Sequence, residues 1–97
     1  MQSSTTGYRV SPSVNLYWRC WADEYVVFDE SSGHTHQLDA MRAFVLDVLA
    51  QSPCSFEGVL SELASIPATT ELPSLSELLT TFLNEFGAHG LVEEISL

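Results

Sequence analysis

Positive charge is scarce in this chain. Its 97 residues carry three Lys+Arg against thirteen Asp+Glu, a formal net charge of −10 at pH 7. All three cations are arginines, Arg9, Arg19 and Arg42, and they form no cluster. A protein that grips a phosphate backbone needs several cationic contacts to release counterions, so nucleic-acid binding is disfavoured and not expected. The same deficit disfavours an anionic membrane surface. Partners that are basic, neutral or held through their backbone remain.

Cysteine is as scarce. Cys20 and Cys54 lie far from any C-x-x-C spacing and read as idle thiols in a reducing compartment. Long apolar runs are missing, since none approaches the roughly 18 residues of a membrane span. Residues 1–7 have neither the basic start nor the apolar core of a secretory signal, so a cytoplasmic location is expected. Catalytic signatures are lacking too: there is no G-x-x-x-x-G-K-[ST], G-x-S-x-G, H-E-x-x-H or G-x-G-x-x-G. The acids are scattered and form no recognisable general acid and base pair. The expectation is a protein that is not an enzyme and takes no cofactor.

What is present is enough for a core. Hydrophobic residues make up 45% of the chain, which places it in the globular class, and its length suits one domain. The stretch from Met1 to Ser13, rich in Ser, Thr and Gly with Pro12, reads as a loose arm, leaving residues 14–97 as the domain. Val14 to Trp21 favours a strand, with Leu16, Trp18 and Cys20 on one face and Tyr17, Arg19 and Trp21 on the other. Trp18 is expected in the core, Cys20 is expected to be a buried thiol, and Trp21 could lie on either side. Tyr25 to Phe28 form a second run, Asp29 to Gly33 supply turn chemistry, and His34 to Leu38 extend again before Asp39 offers a helix cap. This third strand is short and polar, which suits a sheet edge whose free N–H and C=O groups can pair with another chain.

The period then changes from two to 3.6. Met41, Phe44, Val45, Val48 and Leu49 make a helical stripe that Ser52-Pro53 ends. Ser55 can cap a second helix carrying Phe56, Val59, Leu60, Leu63 and Ala64. Pro67 to Pro73 reads as a linker, and Ser74 with Glu77 has the spacing of a capping box for a third helix with Leu75, Leu78, Leu79, Phe82, Leu83 and Phe86. Gly90 is placed to close that helix, and residues 91–95 read as a short terminal strand or an extended tail. Segregated strands and helices in the order β-β-β-α-α-α-β predict an α+β domain.

His34 and His36 point to one face of an extended strand and could offer two metal ligands. A third would have to be His89 or a distant carboxylate, so exposed polar strand residues are expected and no metal site is assigned. A protonatable histidine there could make binding pH-dependent.

Trp18-Arg19 ahead of Glu24-Tyr-Val-Val-Phe-Asp, then Ser32-Gly33-x-Thr35-His36-x-Leu38, Pro53 between two helices and Gly90-Leu91-Val92 near the end resemble the PqqD-like leader-peptide-binding domains. These are also called RiPP recognition elements, and the branch that looks most similar is the HPr-rel-A system PqqD family of peptide chaperones. The resemblance implies a winged-helix-like domain, a three-stranded antiparallel sheet followed by three helices and a short C-terminal strand. It further implies that a precursor peptide adds as a strand along His34, Thr35, His36, Gln37 and Leu38. The third helix would supply the groove wall, with Leu78, Phe82 and Glu85 as candidates by spacing. The implied partners are a leader peptide and a modifying enzyme, an HPr-kinase-related protein among the possibilities. The alternatives are a protein–protein interaction domain, monomeric or homodimeric through the same edge, and a winged-helix transcription regulator. The regulator would need a basic recognition helix, and Ser74 to His89 contains no Lys or Arg.

Overall fold

The computed structural model describes residues 6–21, 24–66 and 74–96. The elements run β1 (Thr6–Val10), β2 (Leu16–Trp21), β3 (Glu24–Asp29), β4 (His34–Leu38), α1 (Ala40–Gln51), β5 (Cys54–Ser55), α2 (Phe56–Ala64), α3 (Leu75–Ala88) and β6 (Val92–Ser96). The expected linker at residues 67–73 and the first five residues of the expected arm lie outside the described residues. β2, β3 and β4 form the anticipated antiparallel meander, and β5, β1 and β6 form a second small sheet. The architecture is α+β, as segregated periodicities predict.

The second sheet is the main departure. Residues 6–10, part of the stretch expected to be a loose arm, form β1 and pair with β6 from Thr6↔Ser96 to Val10↔Val92. The Arg9 guanidinium meets the Glu93 carboxylate at 2.8 Å on the same ladder. A short strand flanked by Ser, Thr and Pro has no local pattern strong enough to announce itself. Its order comes from a partner near the other end of the chain.

Asp29 organises the turn between β3 and β4. It is 3% exposed, and its carboxylate accepts from the Asn15 N–H at 3.1 Å, the Ser31 N–H at 3.1 Å, the Ser31 hydroxyl at 2.7 Å and the Ser32 hydroxyl at 2.9 Å. Gly33, at φ +79°, takes the left-handed conformation the turn requires. The Ser31 hydroxyl bond, opposed by desolvation and supported by the other donors, lowers the Asp29 pKa to about 2.

Register then fixes which backbone groups are used. Glu30 N–H donates to the Asn15 carbonyl at 2.9 Å, one step beyond the Leu16↔Asp29 pair. Antiparallel pairs alternate between hydrogen-bonded and non-bonded. Tyr17↔Phe28, Arg19↔Val26 and Trp21↔Glu24 therefore carry the β2–β3 bonds, and Tyr25, Val27 and Asp29 turn theirs toward Leu38, His36 and His34 of β4. Thr35 and Gln37 aim their N–H and C=O at one open edge of the sheet. Leu16 and Trp18 turn theirs to the opposite side of the sheet, away from β3.

α1 packs against β1, β3, β4 and α2, so it is buried on more than one side. Its buried residues are Ala43, Val45, Leu46 and Leu49, a wider band than the expected stripe, and Met41, Phe44 and Val48 are half-buried. Asp39 caps it by accepting from Arg42 N–H at 2.8 Å, and Ser55 caps α2 through Gly58 N–H at 3.0 Å. Ser74 makes no side-chain cap to α3, because its φ −136°, ψ 67° turns the hydroxyl away from the capping geometry. α3 buries Leu79, Phe82, Leu83 and Phe86, and ends where Gly90 at φ +74° lets Leu91 N–H reach the Phe86 carbonyl at 2.9 Å. Trp18 and Cys20 are exposed, against expectation, because β2 is an edge strand that the helices do not cover.

Gly90→Ala should lower stability by about 1 kcal/mol, since alanine resists positive φ, and lower Tm by roughly 4–8 °C in a thermal melt. Asp29 has a folded pKa below its unfolded value near 3.9, so the unfolded chain takes up the proton first as pH falls. Its contribution is complete above about pH 4 and disappears as pH falls through 2. Denaturant titrations of Asp29→Asn should show lower stability at neutral pH and a flatter decline between pH 4 and 2.

Candidate functional site

The edge that carries Thr35 and Gln37 borders a cleft of about 260 Å³. β4 forms one wall through Thr35, His36, Gln37 and Leu38, the C-terminal half of α3 forms the other through Glu85, Phe86 and His89, and Arg42 and Leu91 complete it. Alternation along β4 places His34, His36 and Leu38 toward the helices and Thr35 and Gln37 on the outer face. Leu38 is accordingly buried, His36 half-buried and Thr35 exposed. The Gln37 amide donates to the Glu24 carboxylate on that outer face.

Arg42 is the electrostatic centre of the cleft. Its guanidinium meets Glu85 in a two-pronged pair, Nε to Oε1 at 2.7 Å and Nη2 to Oε2 at 3.0 Å. Asp39 takes a further bond from Nη1, and the guanidinium carbon lies 4.4 Å from the Phe82 ring centroid. The Glu85 bond is the main reason the Arg42 pKa rises, and the Arg42 bond is the main reason the Glu85 pKa falls. One cation thus answers two carboxylates, and it ties the N-terminus of α1 to α3 beside β4.

Three histidines converge at the far end of the cleft. The ring of His36 lies 4.9 Å from that of His89 and 6.3 Å from that of His34, centroid to centroid. Burial, followed by the charges of His89 and His34, pushes the His36 pKa below its ordinary value, with Asp29 acting weakly the other way. Among the described residues, no three His, Cys, Asp or Glu form a group able to hold a metal ion.

Of the residues expected at the site, Thr35, His36, Gln37, Leu38 and Glu85 line this cleft, and His34 stands beside it. Within the expected ladder, register assigns the free backbone groups to Thr35 and Gln37 and turns those of His34, His36 and Leu38 inward to β3. Phe82 is only 2% exposed, beneath Arg42, and serves as the floor under the ion pair. Leu78 is half-buried against the core, two helical turns or about 10 Å from Glu85, away from the histidines. Sequence reasoning missed Arg42, Phe86 and Leu91, and considered His89 only as a metal ligand. Arg42 carried the usable signal, as a rare cation at the third position after a helix cap. A second, larger cleft of about 570 Å³ opens between β2, β3 and α1, lined by Trp18, Arg19, Cys20, Tyr25, Phe44 and Ile66 among others.

His36 resists protonation in the fold, so the unfolded chain binds the proton first below about pH 6.5. Stability should be unaffected above that pH and should decline as pH falls through the lower folded pKa. His36→Gln should remove this decline, and an imidazole NMR titration should place His36 below the ordinary value. Arg42→Ala should cost about 1–2 kcal/mol in denaturant unfolding, by uncovering Phe82 and leaving Glu85 unpaired.

No helix among the described residues is long and apolar enough to cross a membrane. No family model matches this chain, and neither does any curated protein. A solved structure that does match is TbiB1 in complex with the TbiA(beta) leader peptide, with a TM-score of 0.68 at 20% sequence identity, covering 88% of this chain and 94% of that one. At that identity the likeness is one of fold: over nearly its whole length, this chain is built like TbiB1.

Proposed function

We propose that this protein is a non-catalytic peptide-binding module, a RiPP recognition element that captures the leader segment of a precursor peptide and presents it to a modifying enzyme. The observation that carries the reading is the open edge of β4 beside a cleft walled by α3. An extended peptide added there would exchange backbone bonds with Thr35 and Gln37, and its alternate side chains would enter the cleft against His36, Glu85 and His89. The leader peptide bound by TbiB1, a protein of the same fold, supports this assignment. The sequence resemblance adds the PqqD-like subtype and an HPr-kinase-related protein as the enzyme partner, and a cytoplasmic setting is part of the same proposal.

The chain's acidity shapes the ligand. With Arg42 already engaged by Asp39 and Glu85, no other arginine or lysine among the described residues lines the cleft to meet an acidic side chain. Backbone, apolar and basic groups are the contacts that suit it.

The test is an amide-resolved NMR titration with synthetic leader segments of small peptides encoded near the gene. Shifts should concentrate in residues 34–38 and along Glu85 to His89. Thr35→Pro removes an edge donor that the sheet does not use, and it should weaken binding at least about tenfold, the loss of one or two backbone bonds. His36→Pro instead removes a donor that β3 uses and should unfold the meander. Unchanged affinity in folded Thr35→Pro would show that the strand-addition site lies elsewhere.

A further inference from the structure

The outer face of the meander is out of character for a surface left in water. Strand pairing sets Tyr17, Phe28 and Thr35 in one row across the three strands, Arg19, Val26 and Gln37 in the next, and Trp21 beside Glu24 in a third. Alternation turns these side chains away from the face on which Val27 and Leu38 are buried. Tyr17 is 50% exposed, Trp21 58% and Phe28 37%. A sheet face open to solvent is ordinarily polar. Aromatic residues and arginine with few acids are instead the make-up of the buried centre of a protein–protein interface. Glu24 is the single carboxylate in these rows, and the Gln37 amide donates to it.

We propose that this face is where the modifying enzyme docks, and that a peptide added to β4 completes the docking surface, so that peptide and enzyme bind cooperatively. The inference rests on the peptide-binding reading. Three features favour the enzyme as the occupant. The first is continuity: Thr35 and Gln37 offer backbone groups at the open edge and side chains on this face. A strand added along them sends alternate side chains into the cleft and the others onto the outer face, beside Thr35 and Gln37. A partner seated on the face therefore touches the peptide, as an enzyme receiving that peptide must.

The second feature is size. Three strands of five or six residues present on the order of 300 Å², at about 4.8 Å between strands and 3.3 Å per residue. A stable interface takes about 800 Å² from each partner, so the face alone holds any occupant weakly, a second copy included. A fourth strand enlarges it by about a third. The third feature is charge. Arg9 and Arg42 are paired with carboxylates, whereas Arg19 forms no ion pair with a described residue and stands on this face between Tyr17 and Trp21. The matching patch is apolar with a carboxylate set against Arg19. Two copies of formal charge −10 repel each other, and an enzyme with a basic rim around that patch does not share the penalty.

The test takes the full chain, synthetic leader segments of small peptides encoded near the gene, and the purified enzymes encoded beside it. Calorimetry should show an enzyme binding at least about tenfold tighter when peptide saturates the protein, and the peptide tightening by the same factor when that enzyme is present, because linkage is reciprocal. Tyr17 and Trp21 lie on β2, two strand spacings or about 10 Å from β4. The double variant Tyr17→Thr, Trp21→Thr should therefore weaken the enzyme at least about tenfold and leave peptide affinity without enzyme within about twofold. Its amide spectrum should remain that of a folded chain. Arg19→Glu should weaken the enzyme to a similar degree, by setting like charges together. Thr35→Pro should do the reverse, losing the peptide and keeping the weaker, peptide-independent enzyme binding. Peptide that binds without changing the affinity of any of the enzymes overturns the docking surface and leaves the peptide-binding reading standing. Enzyme affinity unchanged in the double variant, or a dimer of the protein that the double variant dissolves, has the same meaning. Peptide that fails to bind the protein at all overturns that reading, and the cooperativity with it.

Discussion

The Asp29 carboxylate holds the meander in register. It accepts from Asn15 at the mouth of β2 and from Ser31 and Ser32 in the turn leading to β4, so a single buried anion joins all three strands at one end. Among the described residues no ion pair compensates it; hydrogen bonds do, which is why its pKa falls despite burial. Because strand side chains and backbone groups both alternate with period two, fixing one pair fixes every other. The assignment of Thr35 and Gln37 to the open edge of β4 follows from that anchor.

The cleft beside β4 depends on a second constraint. The core sets α3 beside β4, and Arg42, anchored at the start of α1 by Asp39, reaches across to Glu85 while lying on Phe82. This arrangement uses the local cation internally. The cleft, in a protein of net charge −10, is thereby lined by backbone groups, imidazoles and apolar surface beside that ion pair. The two edges of the same sheet also differ in character. β4 is polar and flanked by a cleft, whereas β2 is aromatic and flanked by a broader one.

Much of this was legible in the residues. The aromatic and β-branched run of β3, the Asp29 to Gly33 turn, the caps at Asp39 and Ser55 and the stop at Gly90 are local signals, each decided by groups within a few residues. The polar composition of residues 34–38 pointed to an edge before any pairing was known. β1 was illegible because its stability lies in pairing with β6, and Trp18 and Cys20 were misplaced because alternation tells which face a residue shares, not whether anything covers that face.

The sequence by itself determined the α+β class, the meander of β2, β3 and β4 and the three helices after it, and the polar residues 34–38 marked a strand that avoids the core. Tertiary structure alone decided that Glu85 and Arg42 meet, that His89 comes to lie against His36, and that Phe82 is floor rather than wall. The physical reason is range. Propensity, capping and periodicity act over a few residues, while the site is assembled from β4, α1 and α3, whose contacts exist only once the core has set their relative positions.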